Sequence, residues 1–250
     1  MDRPAPLNAR ISHWQPLGDD VAILGVTTDK PFRFEAGQYA TLGLPGPDGR
    51  LVRRPMSIAS PPNGDAPYQF LVRHVAGGTF TSLLWDRRVG DAVSLVGPKG
   101  GFLLRDDGRT AVFVASGTGL APFRSMVEAL RLAHIPRRVV LLHGVRRASD
   151  LAWRDEFIAL ETSGPPALCY VPTISRPQES PDWRGQTGRV ESIVPVCLER
   201  FSLDASNATI YMCGNPDMIR AVTAIAAARG FPPQQIAREQ YWPAVPPPVR

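Results

Sequence analysis

Beyond Gly108 the chain alternates between short apolar segments of β character and longer stretches with apolar residues at helical spacing. This alternation constrains the fold more than any other feature. Thr110–Ala115, Val139–His143, Ala167–Ile174 and Thr209–Cys213 read as strands, and Leu120–Ala133, Leu151–Glu161, Val190–Arg200 and Pro216–Arg229 read as helices. Strands separated by helices of this length pair in parallel, with helices covering both faces of the sheet. In such sheets ligands bind beyond the carboxyl ends of the strands, where the strand order reverses.

The first hundred residues follow a different pattern. Val21–Thr27, Tyr39–Leu44, Gln69–His74 and Asp91–Val96 are short β segments separated by turn clusters such as Pro45-Gly-Pro-Asp-Gly49 and Gly97-Pro-Lys-Gly-Gly101, with one helical stretch at Phe80–Arg87. Many short strands with Gly/Pro turns predict a small antiparallel barrel. The chain therefore divides into an N-terminal antiparallel β-barrel, 1–106, and a C-terminal α/β parallel-sheet nucleotide-binding domain, 107–250, that ends in a proline-rich extension at 243–250. A length of 250 residues accommodates two such domains.

Composition narrows the class. Apolar residues make up 44% and charged residues 20%, as in soluble globular proteins. No apolar run approaches the ~20 residues of a bilayer span, and Met1–Gln15 has no apolar signal core. The expectation is a cytoplasmic monomer without a membrane partner. The net charge of +5 comes almost wholly from arginine: only Lys30 and Lys99 are lysines. The arginines are scattered, without basic runs interleaved with aromatics, so nucleotide cofactors or an acidic protein partner fit better than nucleic acid. Cys169, Cys197 and Cys213 have neither iron–sulfur nor zinc spacing, so no metal is expected.

Two segments of the first half carry chemistry. In Arg53-Arg54-Pro55-Met56-Ser57, an arginine beside a hydroxyl at a strand end can hold an anion while the hydroxyl bonds a heteroatom. Gly77-Gly78-Thr79-Phe80-Thr81-Ser82 places glycines and hydroxyls at a helix start, where backbone N–H groups suit a phosphate. In the second half, Ser116-Gly117-Thr118-Gly119-Leu120-Ala121-Pro122 follows a strand and opens a helix. The glycines allow close backbone approach to a ligand and the helix start favours a pyrophosphate. Arg146, Arg176 and Arg189 lie on loops after strands, with Ser175 beside Arg176. A 2′-phosphate needs such a cationic, hydroxyl-lined pocket, whereas NAD calls for an acid on the ribose hydroxyls. No acid immediately follows Ile174, so the set favours NADP.

In this order the segments resemble the ferredoxin–NADP reductase family over nearly the whole chain. Phe34-x-x-Gly37-Gln38-Tyr39, Arg54-x-x-Ser57, the Gly78–Leu84 segment, Gly97-Pro98-x-Gly100, Gly117-Thr118-Gly119-x-Ala121-Pro122, Cys213-Gly214-Asn215-Pro216 and Glu239-x-Tyr241-Trp242 carry the likeness. The resemblance implies FAD on the barrel, with Arg54, Pro55, Met56, Ser57, Arg73, Gly78, Thr81 and Ser82 in its site. Arg54 and Thr81 would contact phosphate, and Ser57 would bond near flavin N5. It implies NADP(H) held by Gly117, Thr118, Gly119, Arg146, Ser175, Arg176 and Arg189. Ser57, Cys213, Glu239 and Tyr241 would line the transfer site, with Tyr241 gating nicotinamide access and Trp242 beside it. Met56 departs from the usual stacking tyrosine.

The implied activity is a ferredoxin (or flavodoxin)–NADP reductase that couples a two-electron carrier to a one-electron carrier, with an acidic ferredoxin or flavodoxin as partner. Arg54-Pro55-Met56-Ser57 also leans toward NAD(P)H:flavin reductases. The alternatives are a reductase of free flavin or of an oxygenase partner, and a non-enzymatic flavin-binding electron-transfer subunit. The residues of Glu239–Tyr241 and the arginine set weigh against the last.

Overall fold

A computed structural model describes residues 7–62 and 67–241. The barrel is built from β1 (Ala9–Leu17), β2 (Val21–Thr28), β3 (Tyr39–Pro45), β4 (Leu51–Ser57), β5 (Tyr68–Arg73) and β6 (Ala92–Lys99), with helix α1 (Thr79–Trp85) between the last two. Its strand order is β4-β3-β6-β1-β2-β5, and every pairing is antiparallel. The two outer strands close on each other through the Ala59 amide, which donates to Gln69 O at 2.7 Å. Inward alternation along the strands buries Leu24, Val26, Leu42, Leu44 and Phe70 in one core, to which α1 adds Phe80. β1 was not legible as a strand. Its ARISHWQPL sequence buries only Ala9 and Ile11 fully, so its apolar alternation is weak.

The second domain contains β7 (Thr110–Ser116), α2 (Ala121–Leu132), β8 (Arg138–Val145), α3 (Arg154–Leu160), β9 (Ala167–Ile174), the two-residue β10 (Gln186–Thr187), α4 (Val190–Arg200), β11 (Ala208–Gly214), α5 (Pro216–Ala228) and β12 (Ile236–Gln240). Its sheet runs β10-β9-β8-β7-β11-β12, all parallel. The order reverses between β7 and β11, so the switch point lies where Ser116–Leu120 leaves one strand and Gly214–Asn215 the other. One apolar cluster fills each face of this sheet. Among the described residues no helix is long and apolar enough to cross a membrane.

One helix differs from its sequence pattern. A start at Leu151 is expected, but α3 begins at Arg154 because Trp153 takes a left-handed conformation, φ 53°. That turn lays the Trp153 ring under the Arg124 guanidinium, 4.5 Å from the ring centre. Arg124 reaches from α2 into the barrel, donating to Ala59 O and Gln69 Oε1, each at 3.0 Å. The cation–π contact and the inter-domain bonds repay the strained residue.

Candidate active site

The barrel's β4 and β5 ends face the carboxyl end of the parallel sheet across a cleft of about 640 Å³. The barrel contributes Arg54, Pro55, Met56, Ser57, Arg73, Gly78 and Thr81. The second domain contributes Gly117, Thr118, Arg146, Ser175, Arg189 and Tyr241. These thirteen candidate residues, from eight separate sequence segments, share one cavity. Ser82, Gly119, Arg176, Cys213 and Glu239 do not line it. Trp242 and the 243–250 extension lie outside the described residues.

Four side chains meet where the cleft joins the two domains, Ser57 and Tyr241 lining it and Cys213 and Glu239 behind them. Ser57 ends β4 and is buried, and its hydroxyl donates to Glu239 Oε1 at 3.5 Å. Glu239 pairs in register with Cys213 on the neighbouring strand, and Cys213 is fully buried. Burial raises the Glu239 carboxyl to about 7, only partly offset by the Ser57 bond. Burial also pushes the Cys213 thiol well up, and the Glu239 charge adds to that. A thiol held neutral positions rather than attacks. Tyr241 follows β12; its amide donates to Gly214 O at 3.3 Å and its hydroxyl donates to Thr118 O at 3.0 Å. The chain's last described aromatic is thereby clipped over the Gly117–Gly119 loop.

On the barrel side, Arg54 faces the cleft and makes no ion pair among the described residues. Arg73 is more constrained. It lies 3.3 Å from Asp150 and 3.8 Å from Asp20, and Asp20 also pairs with Arg146 at 3.4 Å. This four-charge cluster joins the two domains. Arg73 Nε, Asp20 Oδ1 and Asp150 Oδ1 are buried without a hydrogen-bond partner. Asp20 and Asp150 carried no sequence signal of their own. Thr81 lines the cleft, but its hydroxyl accepts from the Val75 amide at 3.1 Å and closes the 75–81 loop. Met56 is half-buried among Leu71, Val72 and Phe80 on the apolar part of the wall.

On the opposite wall the Gly117–Leu120 turn precedes α2. Gly117 has φ 55°, and a Cβ placed there would meet nothing within 4 Å, so its outer face is open to a ligand. Gly119 does the opposite. A Cβ there would clash with the Cys213 carbonyl oxygen, so this glycine permits the loop to pack on β11. Below the loop, His143 is completely buried. Its Nε2–H donates to Gly117 O at 3.2 Å, and its Nδ1 accepts from the Tyr170 hydroxyl at 3.2 Å. Burial lowers its pKa to about 4, which keeps it neutral, and the Gly117 carbonyl, which can only accept, fixes that tautomer. No sequence motif had marked His143 for this role.

Beyond the loop, Ser175 and Arg189 line the cleft beside Arg146. Arg176 turns away and pairs with Glu179 at 3.2 Å. The acid absent immediately after Ile174 is thus supplied five residues on.

The mixture suits FAD and a nicotinamide nucleotide: an apolar wall for flat rings, cations and open glycine backbone for phosphates, and a cavity of ligand size. Fold and site define a class, the flavoprotein oxidoreductases in which a barrel holds FAD and a parallel α/β domain holds a nicotinamide nucleotide. The Oxidoreductase FAD-binding domain family matches residues 8–103, and the Oxidoreductase NAD-binding domain family matches residues 113–224.

The chain is 34% identical to ferredoxin–NADP reductase B of Sorangium cellulosum, over 96% of this chain and 100% of that protein. It is also 34% identical to the reductase component of a phenol 2-monooxygenase from a Pseudomonas strain, over 91% of this chain, which spans 63% of that longer protein. A solved Amycolatopsis cytochrome P450 reductase superposes with a TM-score of 0.83 at 31% identity, covering 95% of this chain and 70% of that one. The chain belongs to the ferredoxin–NADP reductase family. It is a two-domain, FAD- and NAD(P)-binding electron-transfer oxidoreductase.

Proposed function

We propose that the protein is a ferredoxin (or flavodoxin)–NADP(+) reductase. The observation that carries this reading is the Ser57–Glu239 hydrogen bond at 3.5 Å, which joins the flavin motif of the barrel to the nicotinamide motif of the second domain. FAD supplies the chemistry that links a two-electron hydride donor to a one-electron acceptor.

The chain's own residues do the positioning. Arg54 and Arg73 hold the flavin pyrophosphate, with the Gly78–Ser82 segment beside it. Ser57 orients the ring edge. Gly117 and Thr118 approach the nicotinamide nucleotide's pyrophosphate through their backbone, and Gly119 lets their loop pack on β11. Cys213 and Glu239 orient the nicotinamide, and Glu239 Oε1 can hold or release a proton near pH 7. Arg146, Ser175 and Arg189 gather at one end of the cleft and support a 2′-phosphate there, with Arg176 on the adjoining turn. The domains meet at 106/107 in this reading, and the basic surface steers an acidic redox protein to the flavin.

A second reading has specific support. Two of the relatives above are a monooxygenase reductase component and a cytochrome P450 reductase. The chain would then feed an oxygenase partner, with any iron–sulfur cluster held outside the described residues, because Cys169, Cys197 and Cys213 are scattered. The test is direct. Purified protein should be yellow and NADPH should bleach it. Steady-state rates against a panel of ferredoxins and flavodoxins, beside free FMN and riboflavin, then rank the acceptors. A colourless protein that reduces only added flavin would overturn the ferredoxin reductase reading.

A further inference from the structure

Glu179 ends the short turn Pro177–Glu179 that follows Arg176. Its two carboxylate oxygens serve two guanidiniums. Oε1 accepts from Arg176 Nη1 at 3.2 Å, and Oε2 accepts from Arg147 Nε. Arg147 also reaches across to Asp19 on the barrel at 3.2 Å. The neighbours of Arg176 face the cleft. Ser175 precedes it, and its own amide donates to the carbonyl of Arg146 at 2.9 Å. The Arg176 side chain does not follow them, because it is drawn onto the turn by Glu179.

The remaining cations at this end differ in kind. Arg146 is paired with Asp20 of the buried inter-domain cluster, at 3.4 Å. Arg189 is 3.8 Å from Glu191, which sits in the first turn of α4, where a negative charge is already favoured by the helix. Glu179 has no such second stabiliser beyond its two arginines. Arg147 in particular holds its carboxyl below the usual value, so it is ionised at working pH.

We propose that Glu179 is a specificity-determining residue. It competes with a 2′-phosphate for the Arg176 guanidinium and so brings NADPH and NADH nearer to parity than the arginines alone would. The inference rests on the placement of the adenosine end beside Ser175 and Arg189. Its physical basis is an exchange of anions. NADPH can engage Arg176 only by displacing the carboxylate, whereas NADH, with no 2′-phosphate, leaves the pair intact. Both partners are substantially exposed, 44% for Arg176 and 33% for Glu179. Exposed pairs are weak, so the exchange is possible and its effect is several-fold.

The test compares kcat/KM for NADPH and NADH with ferricyanide as acceptor in wild type, Glu179→Gln, Arg176→Ala and the double variant. Adenosine 2′,5′-bisphosphate and 5′-AMP are titrated by calorimetry on the same proteins. Glu179→Gln should raise the NADPH/NADH ratio about two- to fivefold, leave NADH nearly unchanged, and tighten the bisphosphate but not 5′-AMP. The gain should vanish in the double variant. An unchanged ratio in Glu179→Gln, or a gain that survives removal of Arg176, overturns the proposal. If Arg176→Ala weakens NADPH use while Glu179→Gln does nothing, the nucleotide placement stands and only the role of Glu179 falls. If Arg176→Ala changes nothing, the placement falls with it.

Discussion

Ser57 and Glu239, 182 positions apart, meet at 3.5 Å across the domain boundary, the serine donating to a carboxylate whose affinity for protons is raised by burial. The contact makes the protonation state of one residue depend on how the two domains sit together, and it gives the site a group that titrates near neutrality.

Glu239→Gln should therefore remove a pH dependence. In wild type the carboxyl has its usual value of 4.5 when unfolded and about 7 when folded. Folding thus takes up a proton between those values. This contribution weighs against the native state as pH rises from about 4.5 to about 7 and is constant above that. The Tm of Glu239→Gln relative to wild type should climb across this window and then level off. The pH profile of hydride transfer should lose a transition near pH 7. A Tm difference independent of pH would show that Glu239 is already ionised in the folded protein.

Tyr241→Ser should increase NADP+ binding to the oxidised enzyme several-fold in difference spectra. The tyrosine hydroxyl is tied to Thr118 O at 3.0 Å, beside the loop that the nucleotide must approach. Tyr241→Phe keeps the ring but loses that bond, and should bind NADP+ between the two. Equal occupancy in all three proteins would remove Tyr241 from any gating role.

Gly117→Ala and Gly119→Ala should differ sharply although they are two residues apart. At Gly117 there is open space and a φ of 55°, so the substitution costs about 1 kcal/mol of backbone strain. At Gly119 the new Cβ meets the Cys213 carbonyl, and the Gly117–Leu120 turn must move off β11 to admit it. The cost there should exceed about 3 kcal/mol. Urea unfolding of both variants checks the order, and equal midpoints would contradict it.

Arg124→Ala should destabilise the protein by about 2–4 kcal/mol, because it strands the Ala59 carbonyl and Gln69 Oε1 and leaves Trp153 in a left-handed turn without its stacked cation. Arg124→Lys should recover little, since a single ammonium cannot serve both acceptors while lying flat on the ring. Full recovery by lysine would mean that charge alone matters here.

Local sequence was enough to place most of this protein. The parallel sheet followed from the strand–helix alternation after Gly108, and α4 and β9 coincide with their apolar periodicity. Turn chemistry separated four of the six barrel strands; β4 was marked only by its motif at a strand end, and the polar residues of β1 hid its inward alternation. The motif residues also converged: thirteen of them line one cleft.

Long-range pairing decided the rest. Whether an arginine is available to a phosphate depends on which carboxylate lies opposite it, and that depends on how the β1–β2 turn with Asp20 and the β9 loop with Glu179 pack. Whether Thr81 offers its hydroxyl depends on the closure of its own loop on Val75. The neutrality of His143 and the raised pKa of Glu239 come from desolvation. Periodicity, spacing and turn signals are set by neighbours along the chain, whereas charge state and hydrogen-bond availability are set by neighbours in space, which only the packed domains bring together.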